Sequence, residues 1–165
     1  MSFRICKIFE IESAHLLSKH PGKCRFPHGH SRRAEVVLVA DQLDANDMVC
    51  DFKALKETRH GFIETWDHAL CINDADPQYT FYQQTYGANV VALAQTDPTS
   101  EVMARVIFAE AKAPLAAATG AQSTNPNGTP YPLSAAVRLE RVRVSETSSS
   151  WAVILNNPFA AGTAR

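Results

Sequence analysis

The sequence predicts an α+β layer, a four-stranded antiparallel sheet with two helices on one face. Three observations predict it. Two stretches near the N-terminus alternate with a period of two, two later stretches carry apolar residues at three-four spacing, and two short strands close the chain. The order strand, strand, helix, long loop, helix, strand, strand makes two hairpins around a helix pair.

In the first strand, residues 3–15, Phe3, Ile5, Phe9, Ile11 and His15 fall on odd positions while Arg4, Glu10 and Glu12 fall on even ones. His15 therefore belongs to the buried side. A loop with His20, Pro21 and Gly22 follows, and HGHSRRAEVVLVAD at 28–41 forms a valine-rich second strand. DQLDAND is a turn cluster. Residues 53–66 form a helix with Leu55, Arg59, Phe62, Ile63 and Trp66 in register, weakened by Gly61. From Asp67 to Thr96 the period is lost, and QYTFYQQTYGANVVALAQ is expected to be an inserted, partly ordered loop. DPTSEVMARVIFAEAKAP gives the second helix, capped by Asp97 or Thr99, with Pro98 suited to a first turn, Glu101 at the positive end and Pro114 after the end. Val102, Val106 and Ala109 are its expected apolar side. AAATGAQSTNPNGTPYPL is rich in breakers and is expected to be an exposed loop. Strands at 136–146 and 151–155, joined by TSSS, complete the sheet.

At 165 residues the chain makes one domain with a real core. Its 45% hydrophobic and 20% charged residues exclude a disordered chain and a membrane protein. A net charge of -1 argues against nucleic-acid binding; only Arg138, Arg141 and Arg143 in RLERVRV approach a basic stripe. The N-terminus has no unbroken apolar region of a secretory signal, and no run is long enough to span a bilayer. Cys6, Cys24, Cys50 and Cys71 form no C-x-x-C pair and read as reduced thiols of a cytoplasmic protein.

His28 and His30, two apart on a strand, aim to one face. Antiparallel pairing of the first two strands brings His15 to meet them. Three neutral imidazoles leave a fourth coordination position open, the arrangement of a catalytic zinc site, although iron(II) or another divalent ion fits too. The alternative is that each histidine is a polar core or surface residue. His20 and His60 lack such geometry and are expected on the surface or in loops. Cys24, between Lys23 and Arg25 and close to the metal strand, has the setting of a thiolate base or nucleophile, against the plain reading of a small loop residue that suits the other three cysteines. Asp67 could orient His68 for acid–base work if the chain turns between them. Glu146 shares strand parity with Val142 and Val144, so its carboxylate needs a partner: a ligand with paired N–H donors, or an arginine of the same chain.

Taken in order, FEIESAHLL (9–17), C-x-x-x-HGHS (24–31), MVCDFKALK (48–56), WDHALCIND (66–74), DPTSEVMARVIF (97–108) and VRVSET (142–147) resemble the 6-pyruvoyl-tetrahydropterin synthase and 6-carboxytetrahydropterin synthase family of the tunnelling fold. The resemblance covers most of residues 1–165, with extra length near 76–96 and 116–135. It implies that His15, His28 and His30 hold Zn²⁺, that Cys24 transfers protons with Asp67 and His68 as its partner pair, and that Glu146 anchors a pterin ring. Thr99 and Ser100 would line the pterin pocket. It also implies trimers, or dimers of trimers, whose sheets close into a barrel with sites between subunits. The implied substrate is 7,8-dihydroneopterin triphosphate. In the carboxy-producing branch, which VSET and DPTSEV resemble more, triphosphate and acetaldehyde are released, in a queuosine-type pathway; the pyruvoyl-producing branch stops before cleavage.

The chain departs from the family pattern at Arg25, where glycine is common, and at Arg32 and Arg33, where aromatic or aliphatic residues are usual. These arginines either bind triphosphate or face solvent as a charged run. Other readings are a paralogue acting on a different pterin, a pterin- or metal-binding protein without turnover, and a structural barrel subunit.

Overall fold

The computed structural model describes residues 1–117, 122–124 and 130–157. Strands β1 (Phe3–His15) and β2 (His28–Ala40) form the expected long hairpin, in a register running from Phe3 opposite Ala40 to His15 opposite His28. Alternation makes the odd side of β1 the core side: Phe9, Ile11, Ser13 and His15 are buried, while Cys6, Ile8, Glu10 and Glu12 are exposed. On β2 the matching side carries His28, His30, Arg32, Ala34, Val36 and Leu38. Strands β7 (Arg138–Ser145) and β8 (Trp151–Leu155) extend the sheet antiparallel beyond β2, joined by a turn in which the Thr147 hydroxyl accepts from the Ser149 and Ser150 amides.

The sheet is larger than expected, and mixed. On the other side of β1 lie β3 (Leu70–Asn73) and β4 (Val90–Leu93), parallel to β1 and to each other, giving the order β4-β3-β1-β2-β7-β8. The stretch expected to be an inserted loop is therefore a β-α-β unit, with helix α2 (Tyr79–Tyr86) as its crossover. Its strands LCIN and VVAL escaped recognition because buried parallel strands read as short apolar runs without alternation. Local side chains set the turns: Asn73 accepts from the Ala75 amide, Asp76 from Gln78 at the start of α2, and Asp74 from Gln95.

Helix α1 (Phe52–Glu64) starts where the Asp51 carboxylate accepts from the Lys53 amide at 2.8 Å. Helix α3 (Ser100–Ala117) is capped by Thr99, whose hydroxyl accepts from the Val102 amide at 3.3 Å, with Glu101 in its positive first turn. Two expectations fail here. The fully buried stripe is Met103, Ala104, Ile107 and Ala111; the expected Val102 and Val106 are half-buried and pack against the core, while Ala109 is exposed. The helix also continues through Pro114, because a proline close to a helix end removes only one backbone bond and the following Leu-Ala-Ala favours helix.

The breaker-rich segment expected to be an exposed loop contains a small hairpin, β5 (Gln122–Thr124) with β6 (Pro130–Pro132), and sends Tyr131 and Leu133 into the core. Residues 118–121 and 125–129 of that segment lie outside the described residues. The main core packs Ile11, Ala34, Val36, Leu38, Val142 and Val144 of the sheet against Leu55, Met103 and Ile107 of α1 and α3. No helix among the described residues is long and apolar enough to cross a membrane. Two arginines of the basic run are ion-paired: Arg138 meets Asp41 at 3.0 Å, and Arg143 meets Glu35 at 2.9 Å while lying over the Trp151 ring.

Candidate metal centre

Register and alternation together bring three imidazoles to one point on the helix side of the sheet. His15 ends β1, His28 and His30 begin β2, and their ring nitrogens all lie within 4.8 Å of one another. Two of the rings have fixed tautomers. A carbonyl oxygen only accepts, so His15 Nδ1–H donates to the Pro98 carbonyl at 2.8 Å and His28 Nδ1–H donates to the Phe26 carbonyl at 2.8 Å. Each Nε2 then carries a lone pair, and these two atoms stand 3.0 Å apart. His30 Nε2 is buried and makes no hydrogen bond among the described residues. Burial also pushes the His15 pKa down to about 4 and lowers that of His30, and Arg32 depresses both further. Imidazole nitrogens converging this closely suit a divalent cation, and the donor set of three histidines fits zinc.

The shell around the histidines is wired to the fold. Pro98, which takes the His15 proton donor, sits in a turn held by Asp97, whose carboxylate accepts from the Lys19 amide at 2.8 Å and from Asn73 Nδ2 at 2.9 Å. Asp97 thus braces the turn that His15 bonds to and does not cap α3. Such outer contacts orient ligands.

Beside the cluster opens a cavity of about 320 Å³ lined by Cys24, His28, His30, Thr99, Ser100 and Glu146. Cys24, in a short 3-10 turn over Lys23–Arg25, is half-buried. Ser100 Oγ is buried and has no hydrogen-bond partner among the described residues, leaving a polar group for a ligand. Exposed His20 sits on the rim, nearer the site than expected; His60 falls within α1, with its side chain outside the described residues.

Asp67 and His68 do form a pair. The chain turns because His68 adopts a left-handed φ of 56°, and its Nδ1 meets Asp67 Oδ2 at 3.0 Å. Glu12 clips the turn from both sides, its amide donating to Asp67 Oδ1 at 2.8 Å and its carbonyl accepting from the His68 amide at 2.6 Å. These bonds hold the Asp67 carboxyl below the ordinary carboxylate range, the Glu12 amide contributing most. The pair does not meet Cys24 within one chain. His68 lines a different cavity of about 570 Å³, bordered by Glu12, Ala14, Gly29 and Ser31 and also by His30, which borders the Cys24 cavity as well.

Arg32 corrects the sequence reading most. It does not face solvent. It is buried among the histidines, and its Nη2 lies 3.5 Å from Glu146 Oε1, so it is the intramolecular arginine that the Glu146 carboxylate required. Positions 28, 30 and 32 share strand parity, and that signal could have found it. Arg33 is exposed, and exposed Arg25 borders a separate cavity near Asp76, where Ser18 donates to the Asp76 carboxylate.

Residues 4–157 match the model of the 6-pyruvoyl tetrahydropterin synthase family. A 6-carboxy-5,6,7,8-tetrahydropterin synthase from Aquifex aeolicus is 31% identical over 126 residues, which cover 66% of this chain and 78% of that one. Among solved structures, an uncharacterized protein from Wolinella succinogenes superposes with a TM-score of 0.72 at 20% identity, over 95% of this chain and 99% of that one. The 6-pyruvoyl tetrahydropterin synthase of Caenorhabditis elegans gives 0.62 at 20% identity, over 95% and 97%. The two structural likenesses bear on the fold.

Proposed function

The chain belongs to the 6-pyruvoyl tetrahydropterin synthase family, and from that premise we propose that it is a zinc-dependent 6-carboxy-5,6,7,8-tetrahydropterin synthase acting on 7,8-dihydroneopterin triphosphate. The observation that carries the reading is the single cavity in which Cys24, Thr99, Ser100 and Glu146 surround the convergent histidines. The name of the Aquifex relative supports the carboxy product.

In this reading His15, His28 and His30 hold the zinc, which when bound supplies Lewis acidity toward the side-chain oxygens of the substrate. Glu146 accepts the amino and ring N–H groups of the pterin, a pairing that fixes the ring's orientation. Thr99 and Ser100 offer hydroxyls from the start of α3. Cys24, as thiolate, takes and returns a proton at the side-chain carbons. His68, oriented by Asp67, passes protons at the opposite side of the substrate.

Because Cys24 and His68 line separate cavities, we take the complete site to form between two copies, in a trimer or a dimer of trimers. Oligomer closure would also cover the exposed edge strand β8. The four cysteines are free, which suits a cytoplasmic setting.

The test is to incubate the zinc-loaded protein with 7,8-dihydroneopterin triphosphate and identify the products by mass. 6-Carboxytetrahydropterin with acetaldehyde is expected. A 6-pyruvoyl product would move the chain to the other branch, and unconsumed substrate with zinc present would overturn the assignment.

A further inference from the structure

Arg32 stands two residues after His30 on β2, opposite Ile11, on the helix side of the sheet. Its side chain is 0% exposed. Nη1 donates to the Ser13 carbonyl at 3.1 Å and to the Ser13 hydroxyl at 2.9 Å, whereas Nε and Nη2 make no hydrogen bond among the described residues. A buried cation is costly unless an anion stands close, so the location of this guanidinium depends on its counter-ion. Among the described residues the carboxylate against it is that of Glu146.

The same oxygen has other suitors. Glu146 Oε1 is 3.5 Å from Arg32 Nη2, 3.4 Å from His15 Nε2 and 3.5 Å from His30 Nε2. It stands between an arginine and two of the nitrogens that converge for a metal. A carboxylate is itself a good zinc ligand, and a fourth protein ligand would close a site that catalysis needs open. The side chain is 30% exposed and lines the cavity, so it borders both the cluster and the space a ligand would fill.

We propose that Arg32 is a positioning residue that holds the Glu146 carboxylate off the metal, keeping one coordination position open and the carboxylate available to a ligand in the cavity. The guanidinium faces Oε1 through Nη2, its charge held in place by the anchoring of Nη1 on Ser13. Remove it, and the strongest cation left beside Glu146 is the metal. The role of the metal here follows from the histidine cluster; the role of Glu146 toward a pterin rests on the proposed function.

The experiment compares the unsubstituted protein with Arg32→Met, Arg32→Lys and the double variant Arg32→Met/Glu146→Gln. Each is loaded with cobalt(II) for its visible spectrum and titrated with zinc against a chelator. Arg32→Met is expected to bind zinc about 10-fold more tightly, the scale on which outer contacts tune metal affinity, and to show cobalt bands of altered position and intensity. The double variant should restore the original bands, since a neutral amide is a poor ligand. Arg32→Lys, which keeps the charge but loses the fork, should shift the bands partway in the same direction, and it serves alone if Arg32→Met does not fold. Unchanged cobalt bands and zinc affinity in both single variants would overturn the inference. So would a change that persists in the double variant. If the bands change as expected while the unsubstituted protein fails to bind 7,8-dihydroneopterin triphosphate, the proposed function falls and this inference stands.

Discussion

The two faces of the sheet at its histidine end differ in how finished they are. On the helix side, most polar groups near the cluster are tied to the fold, His15 to Pro98, His28 to Phe26, Asp97 to Lys19 and Asn73, and Arg32 to Ser13, while His30 Nε2 and Ser100 Oγ have no hydrogen-bond partner among the described residues. On the outer side, Asp67 and His68 are bonded to each other and to Glu12, but the His68 ring is 79% exposed beside an open cavity. The contrast teaches that one chain gathers three imidazoles into a braced cluster and leaves the Asp67–His68 pair on a separate, open face.

The comparison breaks most easily at the ligands. His28→Ala or His30→Ala should leave the protein without stoichiometric zinc by elemental analysis and without product, while Asp67 and His68 variants keep full zinc. Zinc retained by both histidine variants would undo the ligand assignment. Next in size, Cys24→Ala and His68→Ala should each reduce turnover by at least about 10²-fold, the usual contribution of a positioned acid or base. Mixing the two inactive proteins under conditions that exchange subunits should restore part of the activity if sites are shared between copies. No recovery in exchanged, mixed oligomers would confine the site to one chain. Asp97→Ala acts at one remove, through the Pro98 turn, and is expected to weaken zinc binding by about 10-fold, measured by chelator competition, with little effect on the outer-face pair. Smallest is a pH effect on the metal-free protein. The His15 pKa is lowered from 6.5 to about 4 in the folded state. The unfolded chain therefore takes up a proton first as pH falls, and the melting temperature should drop between roughly pH 6.5 and pH 4 and then level off with respect to this group. A melting temperature that rises through that window would contradict the buried neutral ring.

Much of the helix-side centre was legible in the sequence because strand alternation is a strong local rule. His15, His28 and His30 follow from parity and one antiparallel pairing, and Glu146 from its parity with Val142 and Val144. The same rule read one step further would have exposed Arg32, which was missed because a charged residue in a strand is ordinarily assigned to solvent. What alternation could not reveal was the β3-α2-β4 unit, since runs of four residues are too short to carry a period. Its absence from the reading hid the real setting of Asp67 and His68, which precede β3 and depend on a turn clipped by Glu12. Nor could local pattern show that Tyr131 and Leu133 leave a breaker-rich segment for the core, because that depends on space between helices and sheet.

The left-handed backbone at His68 carries a consequence for how this protein tolerates change. A non-glycine residue at φ 56° sits where a Cβ costs about 1 kcal/mol, and glycine would not incur it. His68→Gly should therefore raise the melting temperature slightly and, under the proposed function, abolish turnover. Under the proposed function, the imidazole at this turn is a point where the chain trades durability for work.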